Sequence, residues 1–408
     1  MESMNQTPAG ERVHIAFFGR RNVGKSSLMN AFTGQELSVV SPVEGTTTDA
    51  VYKAMELLPL GPVVLVDTPG LDDSGELGEK RVRKALEVMR KTDIAIVVAD
   101  GTVPLGEAER ELIPEFERKG IPWLLVYNKE DLAEKVSADE ETVLPEKGMA
   151  GERTLRVSAK TGFHIRELKE RVAALVPGDV EKPLIGDLLS EGDTVVLVVP
   201  LDAGAPKGRL ILPQQQVIRG VLEAGASALV CRDSELEKTL QKLVSPPRLV
   251  VTDSQVFDRV GRIVPESVLL TSFSILMARY KGDLAQLAEG AKAVERLGDG
   301  DRVLICEGCT HHRQCEDIGT VKIPNLIRRY TGNKQSVCEP EFSFTSGTEF
   351  PTDVSSYKLV VHCGGCMLNR REMQYRLERC REQGVPVTNY GVLIACLNGI
   401  LDRAVGIF

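Results

Sequence analysis

The sequence predicts an α/β protein of two or three domains, and three observations lead there. At 408 residues the chain is long enough for several separate cores. Short apolar runs of strand length recur along it with helix-like stretches between them, the pattern of parallel sheets covered by helices. A glycine-bounded loop joins the first of these runs to the first helix, where parallel α/β sheets take their ligands.

Taken in order, Val13 to Phe18 reads as a buried strand, and a helix begins at Lys25. Val63 to Val66, Ile94 to Ala99 and Trp123 to Tyr127 are further short apolar runs, each ending in a polar motif. Val176 to Gly186, with its prolines and glycines, reads as the first linker. Beyond it come a strand at Thr194 to Val199, a turn-rich stretch at Asp202 to Arg209, and a helix at Pro213 to Glu223 with proline in its first turn. Ser227 to Cys231 is another strand. From Arg248 a second βα series appears, with strands at Leu249 to Thr252, Val268 to Thr271, Val303 to Cys306, Leu359 to His362 and Val385 to Thr388. Helices fill the gaps, notably Leu284 to Leu297 and Met367 to Glu382. The expected division is 10–178, 185–262 and 263–408.

Hydrophobic content of 42% and charged content of 26% are ordinary for a soluble globular chain. A net charge of −8, with 5% aromatic residues and one Trp, argues against bulk nucleic-acid binding, because phosphate backbones attract basic surfaces and single strands need stacking platforms. No apolar run reaches the length of a membrane span, and the polar start Met1 to Arg12 lacks the apolar core of a secretory signal. The expected location is the reducing cytoplasm, with neither membrane nor nucleic acid among the partners. There, nine cysteines are not a disulfide framework. None precedes Cys231 and seven lie between Cys306 and Cys380, a cluster that suggests metal.

Gly19-Arg-Arg-Asn-Val-Gly24-Lys25-Ser26 fits the GxxxxGK[ST] phosphate loop between a strand and a helix. Gly19, Asn22, Val23, Gly24 and Ser27 supply its backbone, with N–H groups that wrap phosphates; Lys25 reaches the β- and γ-phosphates, and Ser26 offers a hydroxyl to Mg²⁺. Asp67-Thr-Pro-Gly70 closes a strand, placing a carboxylate near the Mg²⁺ shell and the Gly70 N–H near the γ-phosphate. Asn128-Lys129-Glu130-Asp131 matches the NKxD element, in which Asp131 accepts from the guanine N1–H and N2–H₂, a donor pair adenine lacks. Ser158-Ala159-Lys160 matches the loop that backs the base. Thr47, within Thr46 to Thr48, is the best match to the switch threonine that caps Mg²⁺. Four elements in this order identify a GTPase domain, with Lys25, Thr47, Asp67 and Gly70 as its catalytic set. Leu71 stands where Ras-like enzymes carry a water-orienting Gln, so hydrolysis must be organised otherwise.

The C-terminal block carries Cys306-Glu-Gly-Cys309-Thr-His311-His312 and His362-Cys363-Gly-Gly-Cys366, both just past predicted strands. Gly364 and Gly365 allow a tight turn that points two thiolates at one centre, and a helix starting at Met367 would favour anionic sulfur. The residues alone leave three readings open. They are a zinc site of four cysteines, a [4Fe–4S] cluster on Cys309, Cys363 and Cys366 with one iron left for another ligand, and buried thiols without metal. Cys306 and Cys315 are further candidate thiolates; Cys231, Cys338, Cys380 and Cys396 read as small hydrophobes, and His14 and His164 as structural.

Two resemblances bear on these choices. Asn22 and Gly45-Thr-Thr-Thr-Asp49 resemble the TrmE/Era branch of GTPases. That resemblance implies K⁺ bound by Asn22 in place of an arginine finger, and slow, K⁺-stimulated hydrolysis. Cys309-x-His311, fifty residues, then His362-Cys363-x-x-Cys366 resembles the CxH…HCxxC signature of the HydF family of [FeFe]-hydrogenase maturation GTPases. Ala205 to Gln216 resembles that family's dimerisation domain. The architecture implied is a P-loop GTPase domain, a small α/β dimerisation domain and an α/β cluster-binding domain. The function implied is a homodimeric scaffold holding a [4Fe–4S] cluster on Cys309, Cys363 and Cys366, with His311 or His362 as candidate fourth ligand. It would carry a transient di-iron precursor, receiving material from two radical-SAM maturases and delivering it to apo-[FeFe]-hydrogenase. The rival is a translational or tRNA-modification GTPase with a structural zinc tail.

Overall fold

The computed structural model describes residues 9–34, 50–71, 76–133, 153–175, 183–201, 210–308, 317–334, 339–347 and 349–408, with the backbone alone for 9, 76–81, 83, 133 and 333–334. It divides into two compact units, Met1–Val180 and Glu181–Phe408.

The first unit holds strands β1 (Val13–Phe18), β2 (Val51–Leu57), β3 (Gly61–Asp67), β4 (Ile94–Asp100), β5 (Trp123–Asn128) and β6 (Thr154–Arg156). Its helices are α1 (Lys25–Thr33), α2 (Glu76–Met89), α3 (Glu107–Arg118), α4 (Glu130–Ala133) and α5 (Ile165–Ala174). The six strands form one sheet in the order β2-β3-β1-β4-β5-β6, parallel except for β2. Both faces are covered, which is why the central strands are continuously apolar rather than alternating. In β1, Ile15 and Phe17 point into one core with Leu28, Phe32 and Leu168, while Ala16 and Phe18 point into the other with Val97 and Phe116. These are the two faces that a period of two produces. The antiparallel edge strand β2 is absent from the sequence reading. Its residues alternate between exposed and half-buried until Leu57, so no apolar run announces it.

The second unit holds two parallel sheets. Strands β7 (Thr194–Val198), β8 (Ser227–Cys231), β9 (Leu249–Thr252) and β10 (Leu269–Ser272) run in the order β10-β9-β7-β8. Strands β11 (Arg302–Cys306), β12 (Glu341–Thr345), β13 (Leu359–His362) and β14 (Val387–Asn389) run β12-β11-β13-β14. Between them lie α6 (Leu212–Glu223), α7 (Leu236–Lys242), α8 (Phe257–Ile263), α9 (Phe273–Lys281), α10 (Leu284–Ala291), α11 (Ile323–Lys334), α12 (Arg370–Glu382), α13 (Tyr390–Leu397) and α14 (Leu401–Val405). The series expected as one from Arg248 is thus divided: β9 and β10 complete the sheet begun by β7 and β8. β10 lies beyond the boundary expected at 262.

One hydrophobic core is shared by both sheets of this unit, with Val196, Val250 and Leu270 from one and Leu304, Val360 and Val387 from the other. Polar ties cross the same seam. Thr271 Oγ donates to the Ala404 carbonyl at 3.0 Å, and Asn389 Nδ2 donates to the Ser274 carbonyl at 3.1 Å. Helix α10 approaches β14 so closely that a Cβ on Gly290 would lie 1.9 Å from the Val387 oxygen. The Gly290→Ala variant is therefore expected to lose roughly 1–3 kcal/mol of stability in a denaturant titration, through overpacking that the strand must relieve. An unchanged midpoint would show that the helix can move off the sheet without cost.

Candidate nucleotide and metal sites

The phosphate loop leaves β1, the strand from which the sheet is extended by β3 on one side and β4 on the other. Strand order reverses here, and the crevice this leaves is where open α/β sheets bind ligands. Its glycines are required by space and by dihedral angle. Gly19 has φ +145°, and a Cβ there would lie 2.2 Å from the Val98 oxygen. Gly24 has φ +89°, and a Cβ would meet Asn128 Nδ2 at 2.4 Å. Asn22 sits exposed at the crest with φ +60°, Val23 is buried beneath it, and Ser27 is exposed on the first turn of α1.

Lys25 is buried, and its ammonium donates to the carbonyls of Gly19 at 2.9 Å and Arg20 at 2.7 Å. Ser26 Oγ donates to Asp67 Oδ2 at 2.5 Å. Burial raises the pKa of the Asp67 carboxyl, against the Ser26 hydrogen bond and the Lys25 charge. Asp67 Oδ1 is buried without a hydrogen-bond partner among the described residues. A buried, unsatisfied oxygen beside a hydroxyl is the donor set that a hydrated Mg²⁺ completes. Gly70 packs on the loop, where a Cβ would lie 2.3 Å from Arg21 Cγ. Thr47 lies outside the described residues.

The base-side elements converge on Asn128. Its Nδ2 donates to the Val23 carbonyl at 3.0 Å, and its Oδ1 accepts from the Ala159 N–H at 3.0 Å, so one amide joins the phosphate loop to the loop behind the base. Asp131 Oδ1 accepts from Ser158 Oγ at 2.6 Å. Lys129 adopts φ +68°, and its ammonium donates to Asp100 Oδ2 at 2.6 Å. Burial would raise the pKa of the Asp100 carboxyl, but hydrogen bonds from Lys129 and Thr102 hold it below the usual range. Lys160 is exposed beside them. Glu109 of α3 is a residue the sequence does not single out. It is fully buried and accepts from the Arg20 backbone N–H at 3.2 Å and from Arg20 Nε at 2.9 Å, bracing the loop from outside. A glutamate in an amphipathic helix carries no local sign of that duty.

The metal-binding candidates leave a second crevice of the same kind. β11 pairs with β12 on one side and β13 on the other, and Cys306 stands opposite His362. Cys363 Sγ accepts from the Gly308 N–H at 3.0 Å and the Gly365 N–H at 3.4 Å, the donors a thiolate needs. Burial pushes the Cys363 thiol up to about 11, so a thiolate there would need a cation beside it. Gly365 takes φ +64° to turn the chain between the two cysteines. Cys309, His311, His312 and Cys315 lie outside the described residues. Among the described residues no three His, Cys, Asp or Glu side chains are grouped to hold a metal.

Three expectations change here. α12 begins at Arg370 rather than Met367, because Asn369 caps it by accepting from the Glu372 N–H at 3.1 Å. The helix N-terminus therefore stands apart from Cys366. Cys306 points into the core shared by the two sheets and is pushed up to about 12 by burial, so it behaves as a hydrophobe. His362 is 1% exposed with both ring nitrogens engaged. Arg376 Nη1 donates to Nε2 at 2.9 Å, which makes Nδ1 the protonated nitrogen, donating to the Cys363 carbonyl at 2.9 Å. Burial, then the Arg376 charge, lowers its pKa to about 3. A metal can reach Nε2 only if Arg376 withdraws. Arg376 is in turn held by Glu372 at 3.0 Å and the Gly347 carbonyl at 2.9 Å. Glu307, buried next to Cys306 with the Tyr390 hydroxyl 3.4 Å away, is a further buried carboxylate at this edge.

Comparison with known proteins follows the same division. Residues 14–129 match the 50S ribosome-binding GTPase family. Residues 184–282 match the hydrogen maturase F dimerization domain and 285–407 the hydrogen maturase F tetramerization domain, together more than half the chain. The chain belongs to the hydrogen maturase F family. Similar curated proteins include the tRNA modification GTPase MnmE of Heliobacterium modesticaldum, 36% identical over 163 residues, which cover 40% of this chain and 34% of that protein. GTPase Der of Caldicellulosiruptor saccharolyticus is 30% identical over 201 residues, 45% of each. GTPase Era of Synechocystis is 31% identical over 186 residues, 44% of this chain and 58% of that one. The chain thus spans about a third to a little over half the length of these relatives. A solved structure of Aquifex aeolicus Era bound to GDP.AlF4− aligns over 54% of this chain and 93% of that one, at 20% identity and TM-score 0.35. Among the described residues no helix is long and apolar enough to cross a membrane.

In this hydrogen maturase F chain Asn128 makes two buried neutral hydrogen bonds, each worth about 0.5–1.5 kcal/mol net. Asn128→Ala is therefore expected to weaken GDP binding roughly ten- to a hundredfold by calorimetric titration. Affinity within twofold of the parent would mean that the two loops hold their places without it.

Proposed function

We propose that this protein is a GTP-hydrolysing scaffold of [FeFe]-hydrogenase maturation. In this reading it carries a [4Fe–4S] cluster and a transient di-iron precursor that it delivers to the apo-hydrogenase. The observation that carries the reading is the juxtaposition, at one sheet crevice, of the Cys363-to-Cys366 turn with the strand that leads to Cys309, in a chain whose second half matches hydrogen maturase F domains. Cys309, Cys363 and Cys366 would hold the cluster, which supplies an iron able to exchange a ligand. Because Arg376 occupies His362 Nε2, we assign His362 to supporting the turn and leave His311 as the candidate fourth ligand. Two radical-SAM maturases supply the precursor, and the matched domains support a homodimer that can pair further to a tetramer. The setting is cytoplasmic.

In the first unit, Lys25 neutralises the β- and γ-phosphates and the Gly70 N–H meets the γ-phosphate. Ser26, Asp67 and Thr47 surround Mg²⁺, and Asp131 reads guanine. With Leu71 in place of a water-orienting Gln, charge stabilisation falls to the phosphate loop, and Asn22 at its crest is the group we assign to K⁺. Hydrolysis would govern docking or release of partners and take no part in the iron chemistry.

Anaerobic reconstitution with iron and sulfide tests the first claim. The full chain is expected to take up a cluster with a reduced-state EPR signal, lost in Cys363→Ser. One zinc per chain, no sulfide and no EPR signal would support the rival GTPase with a structural zinc tail. GTP turnover is expected to be severalfold faster in KCl than in NaCl, and equal rates would remove Asn22 from the account of hydrolysis.

A further inference from the structure

Lys281 is the last residue of α9, in the segment matched to the dimerization domain, and it is 2% exposed. Lysine is almost never this deeply buried, because losing the hydration of an ammonium costs several kcal/mol unless other groups replace the water. The replacement is specific. Lys281 Nζ donates to the carbonyls of Leu368 at 2.8 Å, Cys366 at 3.1 Å and Gly365 at 3.4 Å. All three belong to the one turn that carries Cys366 and follows Cys363, more than eighty residues away in sequence. They converge on one side of the turn because Gly365 takes φ +64° and the Leu368 N–H closes back on the Gly365 carbonyl at 3.0 Å.

We infer that Lys281 is a positioning residue for the metal group held by the Cys363-to-Cys366 turn. It fixes the turn by its backbone and places its ammonium group behind it. This deepens the proposed function and rests on that reading of the site. Backbone carbonyls aimed at a cluster of thiolates would oppose its negative charge buildup on reduction. Carbonyls turned toward a buried ammonium do not, and the ammonium itself favours the more negative oxidation state. The effect is strong because the charge is screened by little water. A second consequence is mechanical. The residue that holds the turn belongs to the other sheet of the unit, so the cysteine loop is referenced to the dimerization segment and not only to its own sheet.

The test uses the full chain reconstituted anaerobically, the cluster being reduced by one electron from dithionite and followed by EPR at controlled potential. Lys281→Met is expected to shift the midpoint to more negative values and to lose iron to a chelator severalfold faster than the parent, while Lys281→Arg keeps the parental values. Should Lys281→Met not accumulate as folded protein, Lys281→Gln, which keeps a donor and lacks the charge, is read in the same two measurements. Failure of a neutral variant to load, restored by Lys281→Arg, supports the inference equally. Equal midpoint and iron release in parent and neutral variant would overturn the inference, and so would equal failure of Lys281→Arg. A parent chain that takes up no iron and sulfide at all would instead sink the cluster reading on which the inference stands.

Discussion

The constraint on which both sites depend is the common direction of parallel strands. Every parallel strand of a sheet ends along the same edge, and there backbone N–H groups run out of ladder partners. Where the chain adds strands first on one side and then on the other, two loops diverge and a crevice opens between them. In the first unit that point is β1, flanked by β3 and β4. In the third sheet it is β11, flanked by β12 and β13, with Cys306 and His362 facing each other as the last paired residues. One geometric rule thus places the phosphate loop and the cysteine turns. The free N–H groups do the same work at each, wrapping an anion in one and donating to Cys363 sulfur in the other.

The two sites differ in how their loops are held. The phosphate loop is fixed by steric necessity and a neutral amide: Gly19 and Gly24 have no room for a Cβ, and Asn128 joins two loops. The cysteine turn is fixed by buried cations, with Lys281 on its carbonyls and Arg376 on His362. Buried charges of this kind add little net stability, because desolvation offsets attraction. What they do is exclude alternatives, since a turn displaced from Lys281 would strand an ammonium in a dry interior. Arg376 works in the same way, because its guanidinium is satisfied by Glu372, Gly347 and His362 together. In the proposed reading, where two thiolates stay presented while a ligand exchanges, the site gains from that rigidity.

These differences explain what is legible in the sequence. The central strands are legible because burial on both faces leaves a run such as Val13 to Phe18 almost wholly apolar, and the nucleotide motifs are legible because each is contiguous. β2 is hidden by its exposed positions at the sheet edge. The start of α12 is misplaced because the apolar Met367 and Leu368 resemble helix, whereas the boundary is set by the Asn369 cap. Membership of β9 and β10 cannot be told from β11 onward, since a buried parallel strand looks the same in either sheet. Lys281, Arg376 and Glu109 are invisible for a deeper reason. Their sequence neighbours suggest solvated charges, and the partners that make burial tolerable lie 87, 14 and 89 residues away.

The seam within the second unit bears on how oligomer formation can be felt at the proposed metal site. Two domains joined by a linker would let the dimerization segment pair without consequence for the cysteines. Here Val196, Val250 and Leu270 pack in the same core as Leu304 and Val360, and close-packed interiors transmit displacement instead of absorbing it. Thr271, Ser274 and Lys281 each form a hydrogen bond across the seam. A shift of α9 relative to the third sheet would therefore act directly on the hydrogen bonds that hold the Gly365-to-Leu368 turn. If pairing through the dimerization segment acts on the metal site, α9 is the element that carries it, and Lys281 is where it arrives.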